Sequence, residues 1–115
     1  MTSPDKRFAA LATVDARLDD AVADLARMIE SDTRFPPGLG YEPFADLMDS
    51  VLQPLGMTTR RAVVPEGLWR VQRGPAQGAR VNVLADMPVA GRPVCNLYFH
   101  VDTVCAAHGW TRDPL

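Results

Sequence analysis

The sequence predicts an α/β chain in which two helices pack on a small mixed sheet of about three strands. Three observations carry that expectation. Apolar residues recur at helical spacing in the first half of the chain. The period changes to that of extended backbone after Gly56. The second half then holds three runs rich in β-branched or aromatic residues, separated by turn-forming residues. The 115 residues are one domain's length, and 47% hydrophobic with 23% charged residues excludes a wholly disordered chain.

Taken in order, residues 1–12 are mixed and polar, without periodicity, and are expected to form a flexible end, with the domain proper spanning 13–115. From Val14 to Ser31, Leu18, Val22, Leu25 and Ile29 fall at spacings of four, three and four, one stripe of a helix. Thr13 is the expected N-cap, and Asp15, Asp19 and Asp20 suit the positive end of the helix. Phe35-Pro36-Pro37-Gly38 must stop it, because two prolines remove consecutive backbone donors. A second helix is expected from Glu42 to Leu55, with Pro43 in its first turn and a broader stripe of Phe44, Leu47, Met48, Val51, Leu52 and Leu55. Pro54 and Gly56 are its stop signals.

Met57–Val64 and Val81–Asp86 read as strands. Leu68–Val71 reads as a short extended piece and Arg73–Gly78 as a loop. A turn at Pro88–Pro93 leads to Val94–Val101, apolar enough to be a central strand. No later element is available to flank that strand, so the chain is expected to be the opening part of a larger domain.

Twelve Lys and Arg against fourteen Asp and Glu give a net charge of −2, without the basic surplus that nucleic-acid binding needs. Beyond residue 32 there are eight basic and seven acidic residues. The run Arg60, Arg61, Arg70, Arg73 and Arg80 around Trp69 therefore reads as a solvated face, with Trp69 and Trp110 as packing residues. No apolar run reaches the roughly 18–20 residues of a membrane span, and the N-terminus lacks the continuous apolar stretch of a signal peptide. Cys95 and Cys105 form neither a C-x-x-C motif nor a dense framework, which points to a reduced, cytoplasmic chain.

The chemistry-bearing stretch is Asn96-Leu97-Tyr98-Phe99-His100-Val101-Asp102-Thr103. Residues two apart in extended chain share a face, so His100 and Asp102 point the same way at the end of an apolar run. Ligands of open α/β sheets bind beyond the carboxyl ends of strands. A histidine there can ligate zinc through one ring nitrogen, while a neighbouring carboxylate accepts the other ring N–H and fixes the tautomer.

Three stretches resemble, in order, the N-terminal part of the zinc-dependent metallopeptidase and deacylase family that contains acetylornithine deacetylase, succinyl-diaminopimelate desuccinylase, glutamate carboxypeptidase and aminoacylase. The first is Phe35-Pro36-Pro37-Gly38 with Tyr41-Glu42-Pro43-Phe44-Ala45. The second is Leu55-Gly56-Met57 leading into a strand. The third, and most specific, is Leu97-Tyr98-Phe99-His100-Val101-Asp102-Thr103-Val104 with Gly109-Trp110-Thr111-Arg112-Asp113-Pro114. It is similar to that family's apolar strand, H-x-D-x-V and W-x-x-D-P-F. Cys105 stands where the family often has Pro, and Leu115 where it has Phe.

The resemblance spans about residues 14–115 and implies the N-terminal fragment of a zinc-exopeptidase-like catalytic domain, without its lid domain. It implies His100 as a ligand of one zinc of a two-zinc site and Asp102 as the carboxylate that orients His100. The implied reaction is hydrolysis of N-acyl amino acids or small peptides, with a glutamate beyond these residues as general base. The family's remaining ligands follow the W-x-x-D-P loop, so these 115 residues are expected to carry one ligand and to be inactive alone. The alternative expectation is a non-catalytic α/β interaction module.

Three further residues, Cys105, His108 and Asp113, are candidates near the site. Cys105 lies close in sequence to His100 and His108, but a nucleophilic thiol needs a base within reach and a lowered pKa, and the spacing supplies neither. Cys105 is expected to be a passive loop thiol and His108 a solvated loop residue. Asp113 is assigned an Asx-type turn before Pro114.

Overall fold

The computed structural model describes residues 3–70, 77–106 and 108–113. It is a mixed α/β structure in two compact units, residues 1–30 and 31–115.

The first unit is two consecutive helices, α1 (Ser3–Ala16) and α2 (Leu18–Glu30). Residues 3–12, which show no periodicity in sequence, are thus helical. The Arg17 N–H reaches both Thr13 O and Val14 O at 3.2 Å, and the Ala21 N–H reaches Arg17 O at 3.0 Å, so the helical bonding continues through the junction. Thr13 is not an N-cap. It lies inside α1, and its hydroxyl donates back to Ala9 O at 2.9 Å, the local bond that a threonine makes within a helix. Leu18, Val22, Leu25 and Ile29 do share one face of α2, yet each is more than half exposed.

The second unit holds the core. Helix α3 (Tyr41–Leu52) buries Phe44, Ala45 and Met48 on one face and packs chiefly against β2 (Arg80–Asp86). Pro43 sits in its first turn, where a missing N–H costs no intrahelical bond. The helix gives way to a 3₁₀ turn at Gln53–Leu55, so Pro54 lies within this turn. Gly56 then closes it with φ +83° and its N–H on Gln53 O at 2.9 Å, a left-handed cap that glycine adopts without steric cost.

Strand β1 (Thr58–Val64) pairs antiparallel with β2, from Thr58 opposite Asp86 to Val64 opposite Arg80. Arg61 on β1 donates to Asp46 on α3 at 2.6 Å and also to Asp49, tying sheet to helix. The Arg61 guanidinium holds the Asp49 carboxyl below the usual carboxylate range. Between the strands, Glu66–Trp69 forms a short helix, α4, where the sequence suggests extended chain. The Leu68 N–H closing on Pro65 O at 2.9 Å and the Arg70 N–H on Glu66 O at 3.1 Å decide this locally. Val71 and residues 73–76 of the expected loop lie outside the described residues.

The expected three-stranded mixed sheet is corrected to two antiparallel strands among the described residues. Val94–Val101 is not a strand: it pairs with neither β1 nor β2, and Val94, Leu97 and Tyr98 are about nine-tenths exposed. The residues have the propensity for a strand, but propensity cannot supply the neighbouring edge that a ladder requires. Of the two helices expected to pack on the sheet, α3 does so, and α2 belongs to the other unit.

Candidate metal-ligand site

The backbone that carries His100 and Asp102 is held by the segment preceding the double proline. The Thr33 hydroxyl donates to Val101 O at 2.6 Å. The Thr103 N–H donates to Thr33 O at 3.2 Å, and the Phe35 N–H donates to Thr103 O at 2.9 Å. The last two bonds make an isolated parallel bridge between Arg34 and Thr103. Thr33 is 2% exposed and is the polar residue buried in this unit among the described residues. Burial of a hydroxyl is tolerated because it is hydrogen-bonded.

With residues 101–103 fixed, His100 and Asp102 fall on one side of the chain. His100 Nδ1 lies 3.1 Å from Asp102 Oδ1. In the neutral ring this contact puts the proton on Nδ1 and leaves Nε2 as the acceptor nitrogen. Both side chains are exposed, at 73% and 57%. His100 also borders an open cavity of about 630 Å³ that runs between β2 and residues 96–101, with Tyr41, Phe44 and Met48 of α3 along its wall.

Upstream, Phe35-Pro36 and Pro36-Pro37 are cis peptide bonds, and the Gly38 N–H returns to Arg34 O at 2.9 Å. This loop is clamped by Arg80. One guanidinium nitrogen donates to Gly38 O at 3.0 Å and Gln77 O at 2.9 Å, and the other to Pro37 O at 3.2 Å. The same cation lies 5.0 Å from the Phe35 ring centre, 4.9 Å from Tyr41 and 4.4 Å from Trp69. Burial raises the Tyr41 phenol above its ordinary value, with Arg80 opposing and Asp102 adding to the rise. Beside the loop, Asp32 accepts from Arg34 at 2.7 and 2.5 Å, and this holds its carboxyl at about 2.

The basic run is therefore used internally more than the sequence suggests. Arg61 pairs with α3, Arg70 with Glu66 at 2.6 Å, and Arg80 stacks on three rings. Trp69 is half-buried and donates to Val64 O at 3.3 Å, whereas Trp110 is 66% exposed and does not pack. Cys95 and Cys105 are both free and exposed. Among the described residues, no hydrogen bond joins Cys105 to His100 or His108. Pro114, the partner of Asp113 in its expected turn, lies outside the described residues.

The donor set fits one corner of a zinc site: an imidazole with an acceptor nitrogen at Nε2 and a carboxylate on its Nδ1. Among the described residues, no group of three or more His, Cys, Asp or Glu is placed to hold a metal ion. Likewise, no helix among them is long and apolar enough to cross a membrane. Sequence reasoning missed Thr33 and Arg80. Thr33 sits in the polar run Ser31-Asp32-Thr33-Arg34, and Arg80 among other arginines, so neither carries a local signal. No family model, curated protein or solved structure matches the chain.

Proposed function

We propose that this chain contributes His100, oriented by Asp102, to a zinc site that hydrolyses the amide bond of N-acyl amino acids or small peptides, with further ligands and the general base coming from outside these 115 residues. The observation that supports this reading is the 3.1 Å contact between His100 Nδ1 and Asp102 Oδ1, which leaves Nε2 as the ring's acceptor nitrogen on an exposed side chain bordering an open cavity. A bound zinc ion supplies Lewis-acid polarisation of the scissile carbonyl and acidifies water. The chain's own part is to hold one imidazole in the tautomer that a metal needs and to leave space beside it for a ligand. One imidazole is short of the roughly three protein ligands of a catalytic zinc. The chain by itself therefore binds zinc weakly and turns over no substrate.

Zinc titration of the purified chain, followed by calorimetry and by the His100 ring signals, tests the reading. Weak saturable binding that is lost in His100→Ala and weakened in Asp102→Asn is expected. Binding that survives His100→Ala overturns it, as does robust hydrolysis by the isolated chain.

A second reading, a non-catalytic interaction module, is favoured by the exposed apolar stripe of α2 and by Leu97 and Tyr98. Exposed apolar side chains of this kind are candidates for a partner contact. A chain that remains monomeric at high concentration and binds zinc through His100 argues against it.

A further inference from the structure

We propose that Thr33 is a positioning residue for the His100–Asp102 pair, acting through the backbone of residues 101–103. The inference rests on the zinc-ligand reading for its functional meaning, but the geometry is independent of any metal. Residues 94–100 belong to no ladder and are exposed, so they impose no orientation on the residues that follow. The restraint begins at Val101. Its carbonyl accepts from the Thr33 hydroxyl at 2.6 Å, and two residues on, the Thr103 N–H donates to the Thr33 carbonyl at 3.2 Å. One buried residue thus bonds to both sides of Asp102 and restrains the intervening backbone. An extended backbone is the condition under which residues 100 and 102 share a face. The His100 and Asp102 side chains are themselves exposed, and a hydrogen bond between two mobile surface groups is weak unless their backbone is fixed.

A purely structural threonine would lower stability when replaced and leave the His100 ring unchanged in the molecules that remain folded. A positioning threonine changes the ring itself. The readout is the His100 tautomer, taken from ring carbon and nitrogen shifts without metal at about pH 9. In the parent chain the Nδ1–H form predominates. Thr33→Val keeps the shape, removes the donor and shifts the ring toward the Nε2–H form that free imidazole prefers, while the β1–β2 amides stay protected. Thr33→Ser restores the parent tautomer.

An unchanged tautomer in folded Thr33→Val overturns the proposal, as does failure of Thr33→Ser to restore it. If Thr33→Val does not fold, a temperature series on the parent chain decides. Loss of protection at the Thr103 N–H together with the Nδ1–H form, ahead of the β1–β2 amides, supports the proposal. Persistence of that form after Thr103 has lost protection overturns it. A chain that passes these tests but binds no zinc refutes the proposed function and leaves the positioning role standing.

Discussion

The guanidinium of Arg80 lies 4.4 Å from the ring centre of Trp69, and the same cation donates to the carbonyls of Pro37 and Gly38. One side chain on β2 therefore joins α4 to the double-proline loop, and that loop follows directly on the residues that grip the His100 segment. Ring faces and carbonyl oxygens stabilise the charge there, an arrangement suited to a flat guanidinium and unsuited to a lysine ammonium.

Arg80→Ala is expected to destabilise the second unit by about 2–3 kcal/mol, from lost cation–π contacts and unpaired carbonyls. Arg80→Lys should recover less than half of that loss. Urea denaturation followed at Trp69 checks both, and a loss below about 0.5 kcal/mol for Arg80→Ala would show that the clamp is idle.

Three glycines rank by what a methyl group would meet. At Gly40 an added Cβ falls 1.7 Å from the Asp32 carbonyl oxygen, so backbone must move. At Gly38, with φ +83°, it falls 2.7–2.9 Å from the Arg80 guanidinium. At Gly56, also at +83°, it meets open space. Gly56→Ala should cost about 1–2 kcal/mol from the left-handed backbone alone, Gly38→Ala more, and Gly40→Ala most. Thermal melts of the three variants give the order, and a Gly40→Ala chain as stable as Gly56→Ala would contradict it.

Asp32 titrates at about 2, held down first by the Arg34 side chain and then by the Arg34 backbone N–H. A carboxyl whose folded pKa lies below its unfolded value of about 3.9 contributes stability above that value and loses it as pH falls through about 2. The expected outcome is a carboxyl signal for Asp32 near pH 2 in an NMR titration. In Arg34→Gln it should move up toward the ordinary aspartate range, and no movement would assign the depression to another cause. The pair is exposed, so its effect on global stability is small.

Met48 is 4% exposed and Leu18 is 59% exposed. Met48→Ala should cost about 2–4 kcal/mol through an unfilled space in the core. Leu18→Ala should stay within about 0.5 kcal/mol in dilute monomer. A large loss from Leu18→Ala that grows with protein concentration would show that the α2 stripe is covered by association.

Thr33→Val should lower stability by about 1–3 kcal/mol, because the Val101 carbonyl loses its donor in a closed setting. Thr33→Ser should cost less, since only a methyl group is lost. Chemical denaturation of the two variants measures the difference, and equal losses would mean that the hydroxyl is not what matters.

The sequence by itself determined the elements whose cause is local. The four-three-four spacing gives α2 its face, Pro43 and Gly56 bound α3 and its closing turn, and β-branched runs make β1 and β2. The H-x-D spacing likewise places His100 and Asp102 on one side wherever the backbone is extended. Tertiary structure alone decided the rest. Val94–Val101 has strand-forming residues but no ladder, because hydrogen-bond partners come from another edge and not from the segment. Thr33 is buried, and Arg80 is clamped on the double-proline loop, because segments 42 and 43 residues apart for Arg80 with Gly38 and Pro37, and 68 apart for Thr33 with Val101, meet only in the folded chain.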